Sequence, residues 1–150
     1  MKKFLILSSA LIALNAHGMM GNHQIMGAMM QNHPIMPSMA NAKSYKNVNI
    51  KGWNSKAKIA QGKRLYLQNC ASCHGVNAQG AFGPALNGFG HVAHHSPSKL
   101  LAQINNGGGG MPPFRGKLNQ KEQESILIYL HSKWPKKVKD KYDKKFHIKD

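Results

Sequence analysis

This chain of 150 residues lacks several features that would point to particular protein classes. It has no cysteine pair besides Cys70 and Cys73, so a zinc site built from two such pairs is excluded. Its apolar stretch from Phe4 to Leu14 is shorter than the roughly 20 residues that a membrane-spanning helix requires. No segment sustains the alternation of apolar and polar residues typical of strands, so the pattern predicts an all-α fold.

Acidic residues are also scarce. Five Asp and Glu stand against 21 Lys and Arg, which gives a formal net charge of +16 and a pI near 10.1. Eight of the lysines lie between Lys133 and Lys149, so the charge is concentrated at the C-terminus. Such a balance suits an anionic partner surface, although a solvated helix face that only keeps the protein soluble explains it equally well.

The N-terminal residues have the pattern of a secretory signal peptide. Lys2 and Lys3 precede the apolar stretch, and the small-residue sequence Ala16-His17-Gly18 follows it. We therefore predict a cleavable signal peptide over residues 1–18 and export to a bacterial periplasm.

Residues 19–52 form a predicted flexible segment and linker, rich in methionine and histidine. Seven of the nine methionines lie between Met19 and Met39, with no helical or alternating period. Thioether sulfur is a soft donor that suits Cu(I), and imidazole suits either copper state. Copper binding is therefore one alternative, beside a compositionally biased linker and sacrificial methionine oxidation. The copper candidates are Met26, Met29, Met36, Met39, His23 and His33.

Residues 53–134 contain the signals of packed structure, and capping patterns predict three helices there. The first runs from Ser55 to about Cys70, the second from Ser96 to Gly107, and the third from Asn119 to about Lys133. Residues 135–150 are the lysine-rich C-terminal tail, in which Pro135 interrupts the preceding helix and a short further helix follows.

The two cysteines stand in the sequence Cys70-Ala71-Ser72-Cys73-His74, which is the C-x-x-C-H pattern of covalent haem attachment. Each thiol adds across one vinyl group of haem, and the histidine that follows places an imidazole nitrogen on the iron. The alternatives are a structural disulfide, half of a zinc site and a thioredoxin-like redox pair. The last expects a βαβ context, whereas the residues before Cys70 are predicted to be helical.

Met111 is the candidate second axial ligand. It is the one methionine of residues 53–134, and it stands between Gly107-Gly108-Gly109-Gly110 and Pro112-Pro113. The glycines allow the backbone to approach a porphyrin, the prolines stiffen the loop, and His/Met coordination occurs in cytochromes. A methionine that only fills a gap in the core is the alternative. Three loop histidines could compete for the iron, but polar loop positions are their more ordinary role; these are His91, His94 and His95.

With these residues in view, the chain resembles a class I monohaem cytochrome c, exported and bacterial. The resemblance rests on Gly62 and Tyr66 in the first helix, the C-x-x-C-H sequence, Gly83-Pro84-Ala85-Leu86, Met111-Pro112 and Tyr129-Leu130. It implies a small helical fold around one covalent haem, with the N- and C-terminal helices crossing near Gly62 and Tyr129. It also implies that Tyr66 packs on haem or helix and that Pro84 packs beside His74, with one haem edge exposed.

The function that follows is periplasmic electron transfer without substrate chemistry, so the chain is not expected to be an enzyme. Its expected partners are redox proteins with an acidic docking surface, such as a terminal reductase, oxidase or dehydrogenase. An anionic membrane surface is an additional candidate, whereas nucleic acid is not expected for an exported protein. The alternative function is copper handling or sensing by the N-terminal segment together with the haem. A third hypothesis is a haem enzyme or gas sensor in which Met111 dissociates.

Overall fold

The computed structural model describes residues 45 and 48–149, which all lie in one compact unit. The helices are α1 (Lys56–Asn69), α2 (Ala71–His74), α3 (Pro97–Asn106), α4 (Gln120–Lys133) and α5 (Lys136–Phe146), with a 3₁₀ helix over His91–His94. The described residues contain no β-strand, only an isolated bridge between Gly108 and Met111. The predicted all-α fold is confirmed. None of the helices in this part of the chain is long and apolar enough to cross a membrane.

The three predicted helix starts are confirmed by their caps. The hydroxyl of Ser55 accepts a hydrogen bond from the backbone of Lys58 at the start of α1, and Ser96 caps α3 in the same way. Asn119 and Glu122 form a capping box at the start of α4, each side chain bonding the other's backbone N–H. Such caps satisfy backbone donors that have no partner within the helix, which is why they can be recognised in the sequence.

Helices α1 and α4 cross at Gly62. A Cβ atom there would overlap the carbonyl of Ser125 and would lie 2.8 Å from Cβ of Tyr129. The crossing implied by the resemblance is therefore present, and it depends on the absence of a side chain at Gly62. The two helices hold the core cluster that contains Tyr66, Cys70 and Tyr129.

Packed structure begins before Trp53, although Trp53 is the first residue of the predicted domain. Tyr45 and Ile50 are both buried in one cluster with Trp53, and the Tyr45 hydroxyl donates to Oε1 of Gln123 at 3.4 Å. These two residues belong to the segment predicted to be a flexible linker. Single apolar residues without periodicity give no local signal, so their burial is visible only in the folded chain.

The lysine-rich tail packs on the domain through α5. Tyr142 is buried in a cluster with Trp134 and Val92, and its hydroxyl donates to the carbonyl of His95 at 3.0 Å. Nε2 of His131 lies 2.7 Å from Oδ1 of Asp143. The lysines of α5 stand outside this apolar contact, and most are exposed: Lys136, Lys137, Lys141, Lys144 and Lys145.

Candidate haem site

The C-x-x-C-H segment is folded as a single helical turn at the end of α1. Cys70 closes α1 and opens α2, and its carbonyl accepts hydrogen bonds from the backbone N–H groups of Cys73 (3.1 Å) and His74 (2.9 Å). This spacing places residues three apart on one side of the turn. Both cysteines are free thiols, Cys70 buried against the core and Cys73 exposed. The two thiols and the imidazole are thus presented by one compact element.

The chemistry of Cys70 argues against a reactive dithiol. Burial raises the pKa of its thiol to about 11, so the side chain is neutral at physiological pH. Reactive C-x-x-C pairs depend on a thiol pKa that is depressed, which favours the nucleophilic thiolate. The zinc alternative also lacks support, because residues 45 and 48–149 hold no group of three or more His, Cys, Asp or Glu side chains that could bind a metal ion.

His74 is buried and fixed in orientation. Its Nδ1 lies 2.8 Å from the carbonyl oxygen of Pro84. Because a carbonyl only accepts hydrogen bonds, Nδ1 carries the proton and the lone pair of Nε2 is left for a metal. The exposed ring of Pro84 takes no part in this bond; its backbone does.

Gly83 lies against the face of the His74 ring. A Cβ atom on Gly83 would lie 2.7 Å from Cε1 and 2.9 Å from Nδ1 of the imidazole. The backbone N–H of Gly83 also donates to the carbonyl of Cys73 at 2.8 Å. In the sequence, this glycine stands out only as part of a family pattern. Its position directly before Pro84 is the signal that could have predicted its contact with His74.

Tyr66 stabilises the C-x-x-C-H turn through a hydrogen bond. It is completely buried, and its hydroxyl donates to the carbonyl of Gly75 at 2.6 Å, directly after His74. Its ring packs against Tyr129 with the centroids 5.5 Å apart. Burial raises the pKa of Tyr66 to about 12, so the hydroxyl keeps its proton and this bond at neutral pH.

Met111 stands at the end of a turn made by glycines. Gly107, Gly108, Gly109 and Gly110 all have positive φ (71°, 122°, 60° and 86°), which L side chains rarely adopt. The backbone N–H of Met111 donates to the carbonyl of Gly108 at 3.1 Å, and that of Gly108 returns a bond of 2.9 Å. Met111 is half-buried and packs against the cluster that contains Cys70 and Tyr66. The four glycines therefore allow a backbone turn that other residues rarely adopt, and their lack of side chains keeps this turn compact.

The structure brings together most of the predicted site residues. Cys70, Tyr66 and Met111 share one cluster, while His74 and Pro84 meet through their hydrogen bond. The loop histidines belong elsewhere: His91 and His94 are exposed, and the backbone of His95 binds Tyr142 of α5. The copper candidates lie outside the described residues; they are Met26, Met29, Met36, Met39, His23 and His33.

The donor set fits a covalently attached haem. Two free thiols stand in one turn with an imidazole whose Nδ1 is already bonded, and a methionine lies on the same core cluster. The backbone contact of Gly83 with the imidazole leaves no room for a side chain that would turn the ring. These are the residue types that would hold a c-type haem.

Comparisons with known proteins identify the family to which this chain is similar. A family model described as cytochrome C oxidase, cbb3-type, subunit III matches residues 57–130. Cytochrome c6 of Leptolyngbya boryana is 31% identical over 80 residues, covering 51% of this chain and 94% of that protein. Subunit CcoP of the cbb3-type oxidase from Azospirillum sp. (strain B510) is 32% identical over 84 residues, half of this chain but only 28% of CcoP.

A solved structure shares the fold as well. The crystal structure of cytochrome cL from Methylophaga aminisulfidivorans superposes with a TM-score of 0.52 at 26% identity, covering 59% of this chain and 62% of that one. The helices, the C-x-x-C-H turn and these similarities lead to one conclusion: the chain belongs to the cytochrome c family, as a class I member.

Proposed function

We propose that this chain is an exported electron-transfer protein that carries one covalent haem and takes up or releases a single electron. In this proposal the thiols of Cys70 and Cys73 would hold the haem as thioethers, and His74 and Met111 would bind its iron. The observation that supports it most is the 2.8 Å hydrogen bond from Nδ1 of His74 to the Pro84 carbonyl. It orients the imidazole and leaves the lone pair of Nε2 free to bind a metal.

The protein's own part is to hold these groups in place. When bound, the haem supplies one-electron Fe(III)/Fe(II) chemistry. The bond from His74 to Pro84 raises the basicity of the imidazole, and the turn at Gly107–Gly110 presents Met111 from the core side. With both His74 and Met111 bound to the iron, a substrate would find no free coordination position, so we assign a carrier and not an enzyme.

The partner we propose is a redox protein with an acidic docking surface, such as a terminal reductase, oxidase or dehydrogenase. The exposed lysines of α5 supply positive charge that would accelerate the encounter. The N-terminal pattern over residues 1–18 supports export to a periplasm.

The test is the visible and near-infrared spectrum of the matured protein, oxidised and reduced, with and without carbon monoxide. We expect a sulfur-to-iron charge-transfer band and no spectral change with carbon monoxide. Met111→Ala should abolish the band and open the reduced protein to carbon monoxide, whereas Met39→Ala should change neither. Rapid carbon monoxide binding by the unsubstituted protein would contradict His/Met ligation and favour the sensor or enzyme hypothesis.

A further inference from the structure

Helix α4 carries a buried glutamine near its start. Only 1% of Gln123 is exposed, which makes it one of the largest fully buried side chains of the described residues. Burying an amide costs free energy unless its hydrogen bonds are made, whereas leucine or methionine would fill similar space without that requirement. The reason for a glutamine at this position therefore lies in the hydrogen bonds that its amide makes.

The amide of Gln123 bonds the chain on both sides of Met111. We call residues 107–113 the Met111 loop. Nε2 of Gln123 donates to Oδ1 of Asn105 at 3.3 Å, just before this loop, and to the carbonyl of Leu118 at 2.9 Å, just after it. One side chain of α4 thus joins the two stretches of chain that lead into and out of the Met111 loop.

The Leu118 carbonyl fixes the orientation of this amide. A carbonyl only accepts hydrogen bonds, so the NH2 group of Gln123 must face it. Oε1 is left for the hydroxyl of Tyr45, which donates to it at 3.4 Å. Each polar atom of the amide therefore has a partner, and the partners come from separate stretches of the chain.

Backbone hydrogen bonds close the Met111 loop at the same place. The N–H of Phe114 donates to the carbonyl of Ile104 at 3.1 Å, and the N–H of Arg115 donates to the carbonyl of Asn105, also at 3.1 Å. Asn105 thus accepts one hydrogen bond through its backbone and another, from Gln123, through its side chain. The two ends of the loop are bonded to each other and, through Gln123, to α4.

The glycines of the loop make this anchoring important. Glycine has more backbone freedom than any other residue, so the position of Met111 depends on where the loop ends are held. Met111 is only half-buried, and it packs against the cluster that contains Phe114 and Leu118. A displacement of the loop ends relative to α4 would therefore move the Met111 side chain.

We propose that Gln123 is a positioning residue for Met111: its amide holds both ends of the Met111 loop on α4 and so keeps the thioether in place. This inference rests on the proposed role of Met111 as an axial ligand. Gln123 acts through Asn105 and Leu118. Because the same amide accepts from Tyr45, the segment before the predicted domain also helps to hold the loop.

The experiment compares Gln123→Met with Ser125→Ala, both as full-length haem proteins. Methionine keeps an unbranched side chain of similar length but removes the amide and its hydrogen bonds. Ser125 is the matched control because it is buried in the same helix and its hydroxyl donates to Oε1 of Gln61, in α1, at 3.0 Å. Both variants lose a buried hydrogen bond of α4, but only Gln123→Met loses one to the ends of the Met111 loop.

The first measurement is the affinity of the ferric protein for added imidazole, which competes with a thioether for the iron. We expect Gln123→Met to bind imidazole about tenfold more tightly than the unsubstituted protein, and Ser125→Ala to stay within about twofold. The reduction potential should fall in Gln123→Met, because methionine ligation raises it. Equal changes in the two variants would overturn the proposal, since they would reflect overall stability alone.

Asn105→Ala tests the same link from the other side, and it decides the question if Gln123→Met yields no haem protein. Alanine is the better helix former, so α3 itself should not be weakened, whereas the Oδ1 acceptor is lost. We expect imidazole affinity to rise by about threefold. An unchanged or lower affinity in Asn105→Ala would contradict the proposal.

Amide hydrogen exchange reports on the loop independently of the iron. The N–H groups of Phe114 and Arg115 close the loop, and they should exchange about tenfold faster in Gln123→Met than in Ser125→Ala. Unchanged exchange at these two groups would overturn the proposal. Failure of Met111 as a ligand is recognised separately: the unsubstituted protein would then lack the sulfur-to-iron charge-transfer band, while the exchange rates would still test the link from Gln123 to the loop.

Discussion

The indole nitrogen of Trp134 donates a hydrogen bond of 2.8 Å to the carbonyl oxygen of Leu86, 48 residues earlier in the chain. The same indole packs on Gly88, where a Cβ atom would lie 2.8 Å from Cγ of the tryptophan. Trp134 thereby joins the end of α4 to the loop over residues 83–90, which also carries the Pro84 carbonyl. A residue far away in sequence thus contacts the loop whose Pro84 carbonyl bonds His74.

Replacing Trp134 by Phe should therefore disturb the loop as well as the core. Loss of the donor leaves the Leu86 carbonyl without this partner, which should lower the free energy of unfolding by about 1–3 kcal/mol. Denaturant unfolding measures that loss, and the NMR signal of the His74 Nδ1 proton reports on the loop. The control is Trp53→Phe, which removes a 3.0 Å bond to Ile50 outside the loop. A similar shift of the His74 signal in both variants would contradict the proposed link.

Gly62→Ala should destabilise the fold although alanine is the better helix former. Intrinsic propensity predicts a gain of about 1 kcal/mol. The added Cβ would overlap the Ser125 carbonyl, and forcing α1 and α4 apart should cost about 1–3 kcal/mol net of that gain. Thermal or denaturant unfolding shows whether the substitution lowers or raises the stability. An increase in stability would show that α1 and α4 do not cross as closely as described.

Gly83→Ala should impair the histidine ligand, because its Cβ would lie 2.7 Å from Cε1 of the His74 ring. We expect a lower yield of the haem protein, and an altered reduction potential in the fraction of the protein that matures. Gly90→Ala is the matched control: it lies in the same loop, and its nearest contact would be an ordinary 3.4 Å to the Ala85 carbonyl. The prediction fails if the two variants mature equally well with equal potentials.

Stability should fall at alkaline pH through the buried tyrosines. Burial raises the pKa of Tyr66 from 10.0 to about 12, and it raises the pKa of Tyr142 as well. The folded state therefore holds these protons more tightly than the unfolded chain. Their contribution is complete below pH 10 and is lost as the pH rises through the folded pKa.

The measurement is denaturant unfolding from about pH 8 to about pH 12. Tyr66→Phe should be less stable at neutral pH by about 1 kcal/mol, because it loses the hydrogen bond to the Gly75 carbonyl. It should also show a shallower alkaline decline, with the remaining slope due to Tyr142, Tyr45 and Tyr129, whose pKa values burial also raises. Identical slopes in the two proteins would exclude Tyr66 as the titrating group.

The lysines of α5 should govern the salt dependence of the reaction with the proposed redox partner. Changing Lys137, Lys141, Lys144 and Lys145 to Gln should lower the association rate at low salt and flatten its dependence on ionic strength. Stopped-flow kinetics over a series of salt concentrations gives both quantities. Four exposed lysines elsewhere provide a charge-matched control, namely Lys51, Lys56, Lys63 and Lys121. If the control variant loses as much, only net charge matters and α5 has no special role.

Local sequence patterns determined the helix starts and the turns of the candidate site. The starts of α1, α3 and α4 follow from Ser55, Ser96 and Asn119, because a capping side chain acts on backbone groups only two or three residues away. The C-x-x-C-H turn and the glycines before Met111 are equally local, since one turn of backbone sets the geometry of each. For such features, the residues that produce the structure are neighbours in the sequence.

The tertiary structure decided the rest. The burial of Tyr45 and Ile50, the packing of Tyr142 on the 3₁₀ helix side of the domain, and the bond from Trp134 to Leu86 join residues far apart in the chain. The proton of His74 is placed on Nδ1 only because the Pro84 carbonyl comes within 2.8 Å of it. No periodicity or capping signal encodes such contacts, because each depends on how separate elements pack once the chain has folded.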